Sequence, residues 1–371
     1  MRDKTIQSAR RIVLKVGSSL LATKAMGLDE ERIERLARDI ATLKAEGREV
    51  VVVSSGAILC GIARLGLREY PKSLPVKQAA AAAGQSHLMW AYERTFEKTG
   101  HKVAQVLLTR EDLTSRSRFL NSRHTLRALL EFGVIPIVNE NDTVAVDEIK
   151  VGDNDTLAGM VAHLIDADLL VILSDVEGLY NDDPRRNPDA SLIPVVREVT
   201  PEIEKIAGGA FEGTGGMRTK VLAARKAAAY GVATAIVSGE AVDCIASLFS
   251  GRPFGTLFLP REEPLSSRKQ WIGYTVRAKG TLRLDDGAVE ALKRNGKSLL
   301  PSGITDVEGV FDSGDAVLCV DRTGAEFAKG LANYSAEAIG KIKGSKTTEI
   351  RRILGYKDYD EVIHRDNLVL L

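Results

Sequence analysis

Short apolar runs alternate with helix-patterned stretches up to about residue 250, and this alternation constrains the fold more than any other feature of the chain. Residues 12–16, 50–53, 103–108, 134–138, 169–173 and 234–237 read as strands. Most are near-continuous Val, Ile and Leu, the pattern of strands covered on both faces. Between the first two, residues 29–46 place Ile33, Leu36, Ala37, Ile40 and Leu43 on one helical face, and Gly47 follows as a stop signal. Residues 117–132, 155–166 and 218–230 are further helical stretches. Strand and helix in this rhythm predict an α/β fold, a mainly parallel open sheet sandwiched by helices.

The pattern breaks between about 251 and 270, where Pro253, Pro260 and Pro264 stand among charged residues. Beyond 277 the runs are short (280–284, 298–300, 304–311 and 316–320) and are separated by Gly and Asp turns. A small β-rich second domain is expected there. A chain of 371 residues has room for two domains. The expected division is 1–260 for the first domain, 261–276 for a linker, 277–357 for the second domain and 358–371 for a C-terminal tail.

Charge and cysteine content narrow the function classes. The formal net charge is +1, so the molecule as a whole has no strong pull toward nucleic acid or anionic lipid. The three cysteines, Cys60, Cys244 and Cys319, are far apart and form no CxxC pair. A disulfide framework or zinc site is not expected, and a reducing cytoplasm fits. The opening MRDKTIQSAR lacks a signal-peptide apolar core, and no stretch nears the ~20 apolar residues of a membrane span. The five histidines are scattered without metal-ligand spacing. Walker A, GxGxxG and GxSxG patterns do not occur.

In open α/β sheets ligands bind beyond the carboxyl ends of strands, so the segments following each run carry the candidates. After the first stands Lys15-Val16-Gly17-Ser18-Ser19, a point charge followed by small hydroxyl residues suited to phosphate oxygens. After the second, Ser54-Ser55-Gly56 opens a helix, either as an anion site or as an ordinary cap. After the fourth come Asn139-Glu140-Asn141-Asp142 and then Asn154-Asp155, dense carboxylate–amide clusters that need compensating cations if buried. Their carbonyl and carboxylate oxygens can hold an amino group; a solvated turn is the plain alternative. Ser174-Asp175 follows the fifth run as a polar turn or a site. Finally Thr214-Gly215-Gly216-Met217-Arg218-Thr219-Lys220 leads glycines into a helix beside a lysine, a phosphate-cradling arrangement or a flexible loop.

Taken together, KVGSS, VVVSSGAI, KQAAAAAGQSHL, LLTREDL, PIVNENDTVAVDEIKVGDND, LLVILSDVEGLYNDDPR and GTGGMRTK resemble the amino acid kinase family, and within it the glutamate 5-kinases. The stretch SLLPSGITDVEGVFDSGDAV is similar to a PUA domain, the module also found in RNA-modifying enzymes. The resemblance implies phosphorylation of the γ-carboxylate of L-glutamate by ATP with Mg²⁺, the first step of proline biosynthesis, under feedback inhibition by proline. It implies catalytic roles for Lys15, Asp155 and Lys220, with Asp155 holding the two lysines. Lys15, Ser174, Asp175 and the 214–220 loop would hold ATP, and Ser55, Asp142 and Asn154 would hold glutamate. No protein metal ligand is expected, and a homodimer or homotetramer is. Ser174 stands where the family commonly has threonine, and the hydroxyl is kept. The alternatives are another acceptor, such as acetylglutamate or aspartate, or RNA binding by the second domain. RNA is the less favoured, because residues 277–371 hold 15 Lys/Arg against 15 Asp/Glu.

Overall fold

The computed structural model describes residues 2–21, 27–145, 154–208, 216–241, 243–252, 254–261, 269, 272–273 and 276–371. The chain divides into two compact units, Met1–Pro264 and Leu265–Leu371.

The first unit is built on one eight-stranded sheet. Its strands are β1 (Arg11–Val16), β2 (Glu49–Ser54), β3 (Val103–Leu108), β4 (Ile135–Glu140), β5 (Leu169–Ser174), β6 (Val195–Val196), β7 (Ala233–Ser238) and β8 (Thr256–Phe258). Their spatial order is β3-β4-β2-β1-β5-β7-β8-β6. The six strands from β3 to β7 in that order run parallel. β8 joins β7 antiparallel, and β6 runs parallel to β8. The expected mainly parallel sheet is therefore present, with a reversed edge.

Alternate residues of each central strand enter different cores. Ile12, Leu14, Val50, Val52, Leu169 and Val171 pack with the helices Glu30–Ala45 and Leu74–Glu97. Val13, Val51, Val53, Leu170 and Ile172 pack with Asn154–Leu164 and Met217–Ala229 on the opposite face. Covering both faces removes any need for polar alternation along the strands.

Local chemistry sets the helix ends. Asp29 caps the helix Glu30–Ala45 by accepting from the backbone N–H of Arg32 at 3.0 Å, and Gly47 leaves it at φ 77°. The helices Ala57–Leu65 and Leu74–Glu97 meet through glycines. A Cβ on Gly61 would lie 1.7 Å from the Ala80 carbonyl oxygen, and one on Gly84 would lie 1.8 Å from that of Ala57. Only hydrogen fits at these two points, so the short helix is pressed against the long one with its first turn at the strand ends.

Register then gathers the strand ends. Val16 stands beside Ser54 on one side and Leu173 on the other, and Ser174 stands beside Ser238. The segments that follow β1, β2 and β5 therefore leave the sheet side by side.

The second unit has a five-stranded sheet in the order β10-β9-β11-β12-β13. These strands are β9 (Gly280–Leu284), β10 (Ile304–Gly309), β11 (Ala316–Val320), β12 (Glu326–Leu331) and β13 (Leu368–Leu370). Its core holds Leu282, Leu292, Phe311, Val317, Ile339 and Ile363. Residues 358–371, expected as a tail, contribute β13, which pairs antiparallel with β12. Three apolar residues are too few to read as a strand until a partner supplies the hydrogen bonds. The 298–300 run forms only an isolated bridge, Leu299 to Ile363. Most of the 261–276 stretch, expected as a linker, lies outside the described residues. Among the described residues no helix is long and apolar enough to cross a membrane.

Candidate active site

Lys15 is the penultimate residue of β1, and its side chain is buried beneath the strand ends instead of reaching solvent. Its Nζ lies 2.5 Å from Oδ1 of Asp155, and Nζ of Lys220 lies 3.1 Å from Oδ2 of the same carboxylate. All three side chains are buried, Asp155 completely. Asp155 stands in the first turn of the helix Asn154–Leu164, and Lys220 in the first turn of Met217–Ala229. The positive end of the helix Asn154–Leu164 favours the carboxylate it carries. Thr219 Oγ1 also lies within donating distance of Asp155 Oδ2, at 3.2 Å, and of the Gly216 carbonyl, at 2.8 Å. Burial alone would push the Asp155 carboxyl up, but the charges of Lys15 and Lys220 and their hydrogen bonds hold it below the usual carboxylate range. The group is therefore an anion at neutral pH, and it gathers two cations at one point.

A second cluster adjoins it. Asn154 Nδ2 donates to Ser55 Oγ at 2.7 Å, to the Ser54 carbonyl at 3.1 Å and to Asn139 Oδ1 at 3.1 Å. Beneath these, Ser54 Oγ and the hydroxyl of the fully buried Tyr92 are 2.9 Å apart. Ser174 is buried at the end of β5 and donates to Oδ1 of the exposed Asp175 at 3.1 Å.

These groups border one cleft of about 480 Å³. Of the residues singled out from the sequence, Lys15, Ser55, Asp142, Asn154, Ser174, Asp175 and Lys220 line it. Asp155 sits below the two lysines. Thr214 and Gly215 lie outside the described residues. Gly216 precedes the helix, Met217 packs on the apolar core and Arg218 is exposed. Among the described residues of the 214–220 stretch, Lys220 is the one that lines the cleft.

Asn139, Tyr70 and the first turn of Ala57–Leu65 also line the cleft, and Gln85 stands behind it, bonded to Asn139. Asn139 carried a signal as part of the amide–carboxylate cluster. Tyr70 carried none, because nothing in its local sequence points toward the strand ends, and Gln85 stands in KQAAAAAGQSHL, which entered only as part of the family resemblance with no role assigned. Among the described residues, no group of three or more His, Cys, Asp or Glu is placed to hold a metal ion.

The arrangement can hold an anion against two fixed ammonium groups while amide and carboxylate oxygens receive a donor nearby. Comparison with known proteins gives the family. Residues 10–238 match the amino acid kinase family, and residues 280–354 match the PUA domain. The chain is 54% identical to a glutamate 5-kinase of Moorella thermoacetica over 99% of its own length and 97% of the relative's. It is 53% identical to a glutamate 5-kinase of Geobacter sulfurreducens over the whole of both chains. Its fold resembles carbamate kinase from Giardia lamblia bound to AMP-PNP, with a TM-score of 0.51 and 18% identity over 68% of this chain and 99% of the other. With a matched family spanning most of its length and full-length relatives at this identity, the chain belongs to the amino acid kinase family, in its glutamate 5-kinase branch.

Proposed function

We propose that the cleft transfers the γ-phosphoryl group of ATP to the γ-carboxylate of L-glutamate, giving L-glutamyl 5-phosphate and ADP. The observation that carries this reading is the pair of buried ammonium groups, Lys15 and Lys220, fixed on the two oxygens of Asp155 at one end of the cleft.

The acceptor needs no general base. A side-chain carboxylate with a reference pKa of about 4.3 is already ionised at neutral pH. The obstacle is repulsion between that anion and the triphosphate. As the carboxylate oxygen attacks, the bond from the γ-phosphorus to the bridging oxygen breaks and ADP leaves with the electron pair. Charge spreads over the three equatorial oxygens of the migrating group, so positioning and electrostatic stabilisation dominate. Lys15 and Lys220 supply fixed positive charge on that group, and Asp155 keeps the two ammonium groups together. Ser55, Asp142 and Asn154 receive glutamate, with Asp142 toward its ammonium. Ser174, Asp175 and the 214–220 loop hold the nucleotide.

Mg²⁺ fits as an ion carried on the phosphates. Asp155 is engaged on both oxygens, and the carboxylates of Asp175 and Glu140 line the cleft, the hard oxygen type that Mg²⁺ takes. When bound, the ion neutralises phosphate charge. In this reading the first unit is catalytic, proline acts as a feedback inhibitor, the working form is a homodimer or homotetramer and the enzyme acts in the cytoplasm.

The test is ADP release with L-glutamate, N-acetylglutamate, aspartate and carbamate as acceptors, combined with hydroxylamine trapping. Glutamate-dependent ADP release with formation of the γ-hydroxamate is expected. Faster turnover of another acceptor would overturn the assignment.

A further inference from the structure

The amide side chains behind the cleft interlock, and one fixed backbone donor sets all their orientations. Asn139 is the penultimate residue of β4 and is 3% exposed. The backbone N–H of Glu140 donates to its Oδ1 at 2.9 Å. A backbone N–H can only donate, so this contact fixes which end of the Asn139 amide is oxygen. The same oxygen accepts from Asn154 Nδ2 at 3.1 Å. Asn139 Nδ2 must then face the other way, where it donates to Gln85 Oε1 at 2.9 Å.

Gln85 comes from the helix Leu74–Glu97, which carries none of the residues assigned above. Its own Nε2 is buried and has no hydrogen-bond partner among the described residues. Leaving a buried donor unmade is costly, so the amide would flip if flipping helped. A flip would set Gln85 Nε2 against Asn139 Nδ2, donor against donor. Gln85 is thus held in the orientation that serves Asn139 at the expense of its own second hydrogen bond.

We propose that Gln85 is a positioning residue for substrate recognition. It fixes the Asn139 amide, and Asn139 in turn fixes Asn154. With Asn139 Oδ1, Ser55 Oγ and the Ser54 carbonyl all gathered on Asn154 Nδ2, the Asn154 carbonyl oxygen is left to accept from a donor in the cleft. On the reading above, that donor belongs to the glutamate ammonium, and the inference rests on that reading.

Steady-state kinetics of the full chain test it, using Gln85→Met, Gln85→Ala, Asn154→Ala and the double variant Gln85→Met/Asn154→Ala. Loss of one oriented acceptor should raise the KM for glutamate about tenfold in Gln85→Met. The KM for ATP and kcat at saturating glutamate should stay within about twofold. The double variant should be no worse than Asn154→Ala alone, because both changes break one chain of contacts. An unchanged glutamate KM in both Gln85 variants, or additive penalties in the double variant, overturns the inference. So does a joint fall of kcat, both KM values and thermal midpoint, or failure of both Gln85 variants to fold, since either marks a structural role. If Asn154→Ala itself leaves the glutamate KM unchanged, the substrate assignment of Asn154 is what fails.

Discussion

The ammonium groups of Lys15 and Lys220 are held on opposite oxygens of the one buried Asp155 carboxylate, although the two lysines come from the end of β1 and the start of the helix Met217–Ala229. Two like charges this close repel strongly in a low-dielectric setting, so the shared anion between them is what permits the arrangement. Both lysines also line the cleft.

Replacing either lysine should therefore strike the chemical step. Lys15→Ala and Lys220→Ala are expected to lower kcat by about 10²–10³-fold while changing the glutamate KM far less. Arginine should not rescue, because a planar fork does not reproduce a compact ammonium. Coupled ADP release with full titrations of both substrates gives the answer. Near-normal kcat in both alanine variants would remove the lysines from catalysis.

Asp155→Asn should lose stability as well as activity. The change leaves two buried ammonium groups without their counter-charge, a situation that costs about 3–5 kcal/mol. The pH dependence has a definite sign. Asp155 has its folded pKa held below the unfolded value of about 3.9, so its contribution is complete above that pH and fades as pH falls through the lower folded value. Urea titrations of parent and variant at pH 7 and at stepwise lower pH should show a gap that is constant near neutrality and narrows below about pH 4. An equal gap at all pH values would contradict the ionic role.

Gly84→Ala tests the helix contact. The new methyl would meet the Ala57 carbonyl, which is backbone and cannot rotate away. A loss of about 3 kcal/mol is expected, at the upper end of ordinary overpacking. Because Ala57 begins the helix that borders the cleft, a raised glutamate KM should accompany the fall in thermal midpoint. A variant as stable as the parent would show that the two helices separate freely.

Asp39 offers a separate pH signature. It borders a small cavity of about 110 Å³ together with Arg32, Arg35, Arg38, Asp243 and Cys244. Burial and the Asp243 carboxylate push its carboxyl up to about 6, against the opposing pull of Arg38 and Arg35. The folded state then binds the proton more tightly than the unfolded state, so stability falls as pH rises from about 4 to about 6 and levels above that. Asp39→Asn should raise the thermal midpoint relative to the parent at pH 7.5, with little difference at pH 4. A gain of the same size at both pH values would rule out titration of this group.

Much of the first unit was legible because its information is local. Continuous Val-Val-Val and Leu-Leu-Val-Ile-Leu runs bury on both faces wherever they pair, and Asp29 and Gly47 bound their helix by chemistry within one turn. The helix Leu74–Glu97 was not marked in advance, because the first half of its buried face is Ala80, Ala81 and Gly84, within an alanine run that gives almost no apolar periodicity. The strand Leu368–Leu370 escaped for a related reason, since its identity depends on β12.

The sequence by itself determined which residues could bear charge and hydrogen bonds at strand ends: Lys15, Ser55, Asp142, Asn154, Asp155, Ser174, Asp175 and Lys220 all stand in recognisable clusters. The family resemblance already implied that Asp155 holds Lys15 and Lys220; the tertiary structure decided that each lysine takes a different oxygen of that buried carboxylate, that Met217 faces the core, and that Gln85 reaches Asn139. Residue type is local information, whereas a shared hydrogen bond between distant segments is set by strand register and by how closely two helices can approach.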